Sequence, residues 1–420
     1  MGRAVILFAL ITGAFPMMLI VPGQRFFEFV GGINAQALYL FIITVLLLSV
    51  LTLDIEKTIS KAMSYFWFFL FILFCIISFT WTQDTVFGLR MLVKLLAPFL
   101  FLIGILVYFG SEDTAKSERF IIFLAVVVLL LGVFNLLSQG ALGPLKGTKG
   151  WGGGDVLSAP YMSPANFSFF MGTVALISLA NFICVRKMIF FILYVAFSGA
   201  VLWAYTRISM AGLLIGSAML VFMLLKSTMT RIIIPSTMAV LLLVSVFTVD
   251  SIRSRMFFNA QEISLSTALS NPNTLAESIN TSGRTYLWGE AYKHFKHSSE
   301  ITGAGIGSVD KWLESFRRTD ALHSEFIRLY FELGMLGLLF YVMALIQMYS
   351  ISFRIYRNYD DKTTQKYSSI AVAVLSFYVI TLITDNSLNY VTEFGMYVFA
   401  TQGLAMVAAN RIANLKQEKR

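Results

Sequence analysis

The chain has 420 residues, of which 57% are hydrophobic and only 13% are charged. Because a soluble domain of this length carries about 25% charged residues, this composition excludes an ordinary soluble protein. The net charge of +9 would suggest nucleic-acid binding in a soluble protein, but much of the basic charge lies at loop ends that the pattern predicts to be cytoplasmic. We therefore expect no nucleic-acid partner.

Repeated apolar runs of about 18 residues or more predict an all-α polytopic membrane protein with about twelve transmembrane helices. The alternating segments typical of an outer-membrane barrel do not occur in the sequence. The predicted spans are residues 4–21, 33–53, 62–80, 87–109, 120–138, 161–184, 188–205, 208–225, 232–249, 324–350, 367–385 and 392–410. They divide the chain into transmembrane helices 1–9 (1–249), a large outer loop (250–322), and transmembrane helices 10–12 with a cytoplasmic tail (323–420).

The positions of Lys and Arg predict the orientation of these helices. With the N-terminus inside, basic residues in the inner segments outnumber those in the short outer loops by about four to one. Both termini are therefore predicted to be cytoplasmic. The large loop is predicted to lie outside, in the periplasm if the host is Gram-negative.

Two outer segments differ from simple connections. Residues 139–164 are rich in Gly and Pro, which indicates either a flexible linker or a mobile cover over a substrate. The large loop is too long for a simple connection and is expected to have structure of its own. Within it, residues 283–297 and 309–318 have helical periodicity, so we expect two amphipathic helices that rest on the bundle or on the membrane surface.

His323 is the first candidate catalytic residue. It lies where the large loop meets the tenth predicted span, whereas the two other histidines, His294 and His297, lie among lysines in an amphipathic loop helix. A neutral imidazole at this position can accept a proton from a sugar hydroxyl. The alternative is an interfacial histidine that anchors a helix end.

A ladder of charged residues follows His323 along the same predicted span. Glu325, Arg328 and Glu332 are spaced three and four residues apart, which puts them on one helix face. Because an unpaired ionisable group inside a membrane costs at least about 2.5 kcal/mol, these residues are expected to face the bundle interior and to pair. The ladder fits a structural ion-pair stripe and a catalytic one equally well.

Cationic side chains near the outer face are candidate phosphate ligands. Arg207 lies in a very short outer turn, and Arg284 lies in the large loop; a guanidinium can bind phosphate oxygens in a bidentate way. Arg90 and Lys94 form an i, i+4 pair near the start of the fourth span. Each of these residues has a plainer alternative, which is contact with lipid headgroups. Two acidic residues that flank the last outer turn are weaker candidates, namely Asp385 and Glu393.

The glycine-rich segment 303–307 resembles a nucleotide-binding fingerprint only superficially, because no strand precedes it. It is better interpreted as a tight turn, with an anion-binding nest of backbone amides as an alternative. We find no phosphate-binding Walker loop, no zinc spacing and no nucleophile elbow in the sequence. The sequence therefore predicts no metal and no cofactor, and cations with one histidine would suffice for glycosyl transfer from a pyrophosphate-linked lipid.

Together these features resemble the bacterial O-antigen ligases and the related O-antigen and exopolysaccharide polymerases. The resemblance spans most of the chain in hydropathy and topology, and three short motifs carry it. They are Thr206-Arg207-Ile208-Ser209; Gly283-Arg284 with Trp288 and residues 303–307; and His323-Ser324-Glu325-Phe326 running on to Glu332-Leu333-Gly334 and Gly337. The motifs are individually weak, but their order, spacing and shared outer location make the combination more specific.

The resemblance implies inverting glycosyl transfer from an undecaprenyl-pyrophosphate-linked glycan at the periplasmic face of the inner membrane. Arg207 and Arg284 would hold the pyrophosphate, and His323 would activate the acceptor hydroxyl. Ser324 is a departure, since Asn is common there, and it leaves the local hydrogen bonding open. Further candidate substrate ligands are Arg90, Lys94, Glu325 and Arg328.

The acceptor distinguishes a polymerase, which extends another lipid-linked glycan, from a ligase, which uses lipid A–core; the motifs do not separate them. The expected partners are the donor, the acceptor, the lipid bilayer and other polysaccharide-assembly membrane proteins. One alternative is a twelve-span transporter of a lipid or polysaccharide precursor, which predicts related halves and polar residues at mid-membrane. Another is a non-catalytic scaffold, in which Arg207, Arg284 and His323 would lie far apart.

Overall fold

A computed structural model describes residues 2–14, 35–137, 156–159, 162–258, 283–316 and 321–418. Its α-helices are α1 Gly2–Ala14, α2 Ala35–Leu51, α3 Ile55–Met63, α4 Phe66–Ile77, α5 Thr85–Tyr108, α6 Ser111–Leu137, α7 Pro164–Val185, α8 Met188–Trp203, α9 Arg207–Leu224, α10 Thr228–Thr248, α11 Asp250–Met256, α12 Arg284–Phe295, α13 Ser308–Phe316, α14 Glu325–Asn358, α15 Lys362–Thr384 and α16 Met396–Glu418. Most of the predicted cover segment 139–164, and residues 259–282 and 317–320 of the large loop, lie outside the described residues.

The described part of the chain has no β-strand, which confirms the predicted all-α class. Within it, eight helices are long and apolar enough to cross a membrane by length and composition, and three shorter apolar helices accompany them. Many large apolar side chains are exposed, most of all along α10, in which none of the 18 residues of its most apolar stretch is buried. Such a surface suits a lipid environment. The number of twelve spans stays a prediction.

Helix α15 forms the centre of the bundle. It packs against α7, α9, α14 and α16, and most of its length is buried. Phe377 of α15 fits between Gly172 of α7 and Gly212 of α9, where a Cβ atom on either glycine would overlap its ring. Small residues allow helix backbones to approach closely in membranes. They explain how a bulky aromatic ring is accommodated at the core of the bundle.

Helix α14 is broken at Gly334, whose φ of 65° and ψ of −168° are non-helical. The break frees backbone groups on both sides, and the segment that precedes α13 binds them. Ala304 N donates to Phe331 O over 2.9 Å, and Gly305 N donates to Glu332 O over 2.8 Å. The glycine-rich segment is therefore held in the break of α14, where it satisfies backbone groups that would otherwise be buried without partners.

These contacts decide the role of the glycine-rich segment. The other amides of the turn also donate within the protein, Gly303 N to Ser299 O over 2.8 Å, Ile306 N to Ser78 Oγ over 3.4 Å, and Gly307 N to the Glu332 carboxylate. The anion-nest alternative is wrong for these amides, because an anion would have to displace existing hydrogen bonds. Gly303, Gly305 and Gly307 instead supply positive φ angles of 70°, 95° and 81° at points where another backbone passes too close for a Cβ atom.

The loop helices α12 and α13 pack on the bundle. They share a second apolar core with the start of α14, in which Phe295 of α12 stacks on Phe331 of α14 at 5.3 Å between ring centroids. Trp312 of α13 packs against the edge of the Phe295 ring. Their position against α14 brings α12 and α13 close to the helix ends that carry the candidate residues.

Candidate active site at one end of the helix bundle

Several helix ends meet at the side of the bundle that the loop charges predict to be outer. Ser168 Oγ near the start of α7 lies 2.7 Å from Ser209 Oγ near the start of α9. Phe169 of α7 packs on Tyr390, which follows α15, at 5.3 Å between ring centroids. The starts of α7 and α9 therefore lie beside the segment that leaves the end of α15.

His323 lies immediately before α14 and is held by Asn386, which follows α15. The backbone N–H of His323 donates to Asn386 Oδ1 over 2.8 Å, and Asn386 Nδ2 lies 3.1 Å from His323 Nδ1. The φ of His323 is 58°, a left-handed conformation that is uncommon for a residue with a Cβ atom. The next residue, Ser324, caps α14 by accepting a hydrogen bond from Ile327 N. Serine thus supplies the local hydrogen bond at a position where Asn is common in the family that the sequence resembles.

Arg284 is brought towards His323 by α12. It is the first residue of that helix and follows Gly283, whose φ is 76°. One turn later, Trp288 Nε1 donates to Leu322 O over 2.8 Å, which ties α12 to the residue directly before His323. Arg284 is half-buried, and its Nε atom is buried with no hydrogen-bond partner among the described residues. A buried donor without a partner is costly, so this guanidinium is suited to an anionic ligand.

Asp385 completes this group of residues. Its Oδ1 accepts from Asn386 N over 2.7 Å and from the Tyr390 hydroxyl over 3.1 Å. Its charge acts on both Arg284 and His323. The sequence indicated Asp385 only as a weak candidate; the structure assigns it to the same site as the arginine and the histidine.

The electrostatics of the site favour a neutral imidazole. Burial lowers the pKa of His323 below its ordinary value, Arg284 lowers it further, and Asp385 opposes them in part. Burial also lowers the pKa of Arg284, while Asp385 and Tyr390 act in the other direction. The neutral imidazole is the form that a proton acceptor requires.

The charged ladder of α14 forms an internal cluster beside this site. Arg328 Nη2 lies 2.6 Å from Asp310 Oδ2 of α13, and its other nitrogens lie 3.4 Å from Glu332 Oε1 and 3.8 Å from Glu325 Oε2. Lys94 Nζ of α5 lies 3.7 Å from Asp310 Oδ2. Burial raises the pKa of Asp310, but Arg328 and Lys94 outweigh it, and the pKa lies below its ordinary value.

The cluster joins three parts of the chain. Asn389, after α15, accepts from Lys94 over 2.7 Å and from Arg328 over 3.3 Å through the same Oδ1 atom. Glu325 accepts instead from the backbone N–H of Leu388 over 2.9 Å. The described contacts of Arg328 and Glu325 are thus internal, and a substrate-binding role for these residues stays a prediction.

Arg207 and Arg90 lie on other elements than Arg284 and His323, at the start of α9 and in α5. Arg207 is half-buried at the first position of α9, and Tyr205 just before it has a left-handed φ of 51°. The guanidinium of Arg90 lies 5.0 Å from the centroid of the Phe87 ring, and the ammonium of Lys311 lies 5.3 Å from the same centroid. Arg90 therefore lies where α5 meets α13, on a surface of mixed charge in which Lys311 pairs with Asp84 and Glu314.

No group of three or more His, Cys, Asp and Glu side chains in the described ranges could hold a metal ion. The side chains gathered at the site carry guanidinium, imidazole, carboxylate and amide groups. Sequence reasoning missed Asp310, Asn386 and Asn389. No local spacing indicates them, because their partners lie far away along the chain.

Comparison with known proteins supports the resemblance. A family model described as O-antigen ligase matches residues 191–342, which include Arg207, Arg284 and His323. No curated protein matches the chain. The family and the apolar helices indicate a multi-pass membrane enzyme that transfers a glycan between a lipid-linked donor and an acceptor. Residues 191–342 of this chain match the O-antigen ligase family, which supports the assignment made from the sequence motifs.

Proposed function

We propose that the protein transfers a glycan from an undecaprenyl-pyrophosphate donor to a sugar hydroxyl at the periplasmic face of the inner membrane, without a metal ion. The observation that carries this proposal is the convergence of Arg284 and His323 on the Asp385–Asn386 segment. An anion-binding group and a proton acceptor that share one site are what this transfer requires.

In the proposed reaction, the acceptor oxygen attacks the anomeric carbon from the face opposite the pyrophosphate. A new carbon–oxygen bond forms while the bond from that carbon to the pyrophosphate oxygen breaks, which inverts the configuration. The proton of the hydroxyl passes to the imidazole of His323, and the electron pair leaves with the pyrophosphate. Arg284 and Arg207 stabilise the developing negative charge through bidentate hydrogen bonds.

The remaining predicted ligands have supporting roles in this proposal. Arg90, beside Phe87 where α5 meets α13, would attract the anionic lipid towards the site. Lys94, Glu325 and Arg328 would support the site from the buried cluster beneath it. The polar groups lie near helix ends and beside the loop helices, which favours this enzyme over a transporter whose polar residues would lie at mid-membrane.

The acceptor decides between two forms of the proposal. The protein is a polymerase if it extends lipid-linked repeat units, and a ligase if it moves a finished glycan to lipid A–core. The test is reconstitution in lipid vesicles with lipid-linked repeat units, offered alone or together with lipid A–core. Chain growth without core identifies a polymerase, and transfer that depends on core identifies a ligase.

Substitutions test the roles of the residues. His323→Ala is expected to lower kcat about 10²- to 10⁴-fold, the usual contribution of general base catalysis. His297→Ala is the matched control, because His297 is an exposed histidine of the same loop region. Arg284→Ala is expected to lower kcat/KM by about 10²-fold, and Arg284→Lys should restore little of it because an ammonium cannot bind two oxygens in fork geometry. Full activity of His323→Ala would refute the assignment of the base.

A further inference from the structure

The side-chain amide of Asn386 contacts two different atoms of His323. Its Oδ1 lies 2.8 Å from the backbone nitrogen of His323, and its Nδ2 lies 3.1 Å from the ring nitrogen Nδ1. Both distances are those of hydrogen bonds. One planar amide therefore fixes the backbone and the ring of the candidate base at the same time.

The first of these hydrogen bonds determines the orientation of the amide. A backbone N–H can only donate, so the atom of Asn386 that faces it must be the oxygen. The amide nitrogen then faces Nδ1 of His323, and because the NH₂ group can only donate, Nδ1 must accept. A neutral imidazole carries one proton, so that proton lies on Nε2.

Backbone hydrogen bonds hold Asn386 in place, and the backbone of His323 favours this orientation of its amide. Asn386 is buried, its own N–H donates to Asp385 Oδ1 over 2.7 Å, and its carbonyl accepts from Asn389 N over 2.8 Å. The left-handed backbone of His323, with φ 58°, is an unfavourable conformation that persists only where neighbouring contacts hold it. The hydrogen bond to Asn386 Oδ1 is such a contact, so rotation of the amide would remove it.

The charged groups that act on His323 are consistent with a neutral ring. Burial disfavours the imidazolium most, Arg284 of α12 disfavours it further, and Asp385, after α15, favours it in part. Because the ring nitrogens point in diverging directions, Nε2 faces away from the buried Asn386. The N–H at Nε2 of the neutral ring therefore points away from Asn386. In the same site, the buried Nε of Arg284 has no hydrogen-bond partner among the described residues.

We propose that Asn386 is a positioning residue that holds the resting imidazole of His323 with its proton on Nε2, so that His323 first donates a hydrogen bond to an anionic phosphate oxygen. The nitrogen that receives a proton is then Nδ1. When the proton of the acceptor hydroxyl moves to Nδ1, the hydrogen bond from Asn386 Nδ2 to Nδ1 breaks while the backbone N–H of His323 still donates to Asn386 Oδ1. The imidazolium then carries a proton on each nitrogen. The role in the reaction depends on the proposed function, whereas the tautomer does not.

Nuclear magnetic resonance of the full-length protein, labelled with ¹⁵N at histidine and reconstituted in nanodiscs, measures the tautomer directly. At about pH 8, well above the ordinary histidine pKa, the His323 spectrum is expected to show a protonated Nε2 and an unprotonated Nδ1. The signals of His294 and His297 are assigned by substituting each with Gln. A proton on Nδ1 in the unsubstituted protein would overturn the proposal without any variant.

Asn386→Asp gives the second test. A carboxylate still accepts from the backbone N–H of His323 but can no longer donate to Nδ1, so the proton is expected to move to Nδ1. Asn389→Asp makes the same chemical change three residues away, where the side chain accepts from Lys94 and Arg328, and should leave the tautomer unchanged. An unchanged tautomer in Asn386→Asp, or the same shift in Asn389→Asp, would contradict the role of Asn386.

Kinetics in the reconstituted system test the donor hydrogen bond. In Asn386→Asp the proton has moved to Nδ1, so Nε2 presents a lone pair to the phosphate oxygen and cannot donate to it. The loss of this hydrogen bond to a charged group should raise KM for the lipid-linked donor about tenfold. An unchanged KM together with a shifted tautomer would refute that part of the proposal. If the tautomer is as proposed but His323→Ala remains fully active, the proposed base fails while the assignment of Asn386 stands.

Discussion

Substitution of Arg328 with Met tests whether the buried cluster holds the loop helix α13 to the bundle. Arg328 is 2.6 Å from Asp310, 3.4 Å from Glu332 and 3.8 Å from Glu325, and its side chain is 4% exposed. Without the guanidinium, three carboxylates remain, and Lys94 is the cation that pairs with this cluster in the described part of the chain. Removal of one partner of a buried ion pair costs about 3–5 kcal/mol, so we expect the free energy of unfolding to fall by that amount.

The assay is unfolding of the purified protein by SDS in mixed micelles, with the free energy extrapolated to zero SDS. Arg354→Met, an exposed arginine of the same helix, is the matched control and should cost less than about 0.5 kcal/mol. The double variant Arg328→Met with Asp310→Asn removes one positive and one negative charge, so the cluster keeps its original excess of one negative charge. Its loss in free energy of unfolding should be smaller, by at least about 1 kcal/mol, than the sum of the losses in the two single variants. A loss no larger than that of the control, or strict additivity, would refute the reasoning.

Three further predictions concern the site and its supports. The pKa of His323 lies below 6.5, and the base must be neutral to accept a proton. The kcat/KM of transfer should therefore be constant above pH 6.5 and should fall about tenfold per pH unit below the pKa of His323. A plateau of kcat/KM that extends far into the acid range would contradict this. Gly305→Ala should lower the thermal midpoint or prevent folding, because the φ of Gly305 is 95° and a Cβ atom would overlap the backbone of Thr82. Gly289→Ala is the control: it has open space in α12, and the free energy of unfolding should rise by up to about 1 kcal/mol. Asp84 caps α5 by accepting from Val86 N and Phe87 N, so Asp84→Ala should cost about 1 kcal/mol in the SDS assay, and no loss would show that the cap is dispensable.

Local patterns explain which features the sequence predicts. Helix α12 begins at Arg284 and α13 at Ser308, close to the predicted starts, because apolar residues recur at helical spacing in both segments. The same pattern puts Trp288 one turn after Arg284, but its hydrogen bond to the carbonyl directly before His323 is a tertiary contact that no local period predicts. The spacing of Glu325, Arg328 and Glu332 likewise predicts one shared face on α14.

Long-range contacts explain what sequence reasoning missed. Asn386 lies 63 residues from His323, and Asn389 lies 295 residues from Lys94, so no periodicity joins them. The internal use of the glycine-rich amides depends on the break at Gly334, which exposes carbonyl groups that the turn then binds. Such partners are chosen by the three-dimensional approach of distant helix ends.

Composition and hydrophobic spacing thus determined by themselves that the chain is a helical membrane protein, whereas the outer location of its arginines and histidine stays a prediction. Only the tertiary structure decided which side chains neutralise Arg328, which amide fixes the ring of His323, and that Asp385 joins the same site. The physical reason is that hydrophobic burial follows a local period, whereas buried polar groups must be satisfied by whichever partner the packing brings within about 3 Å.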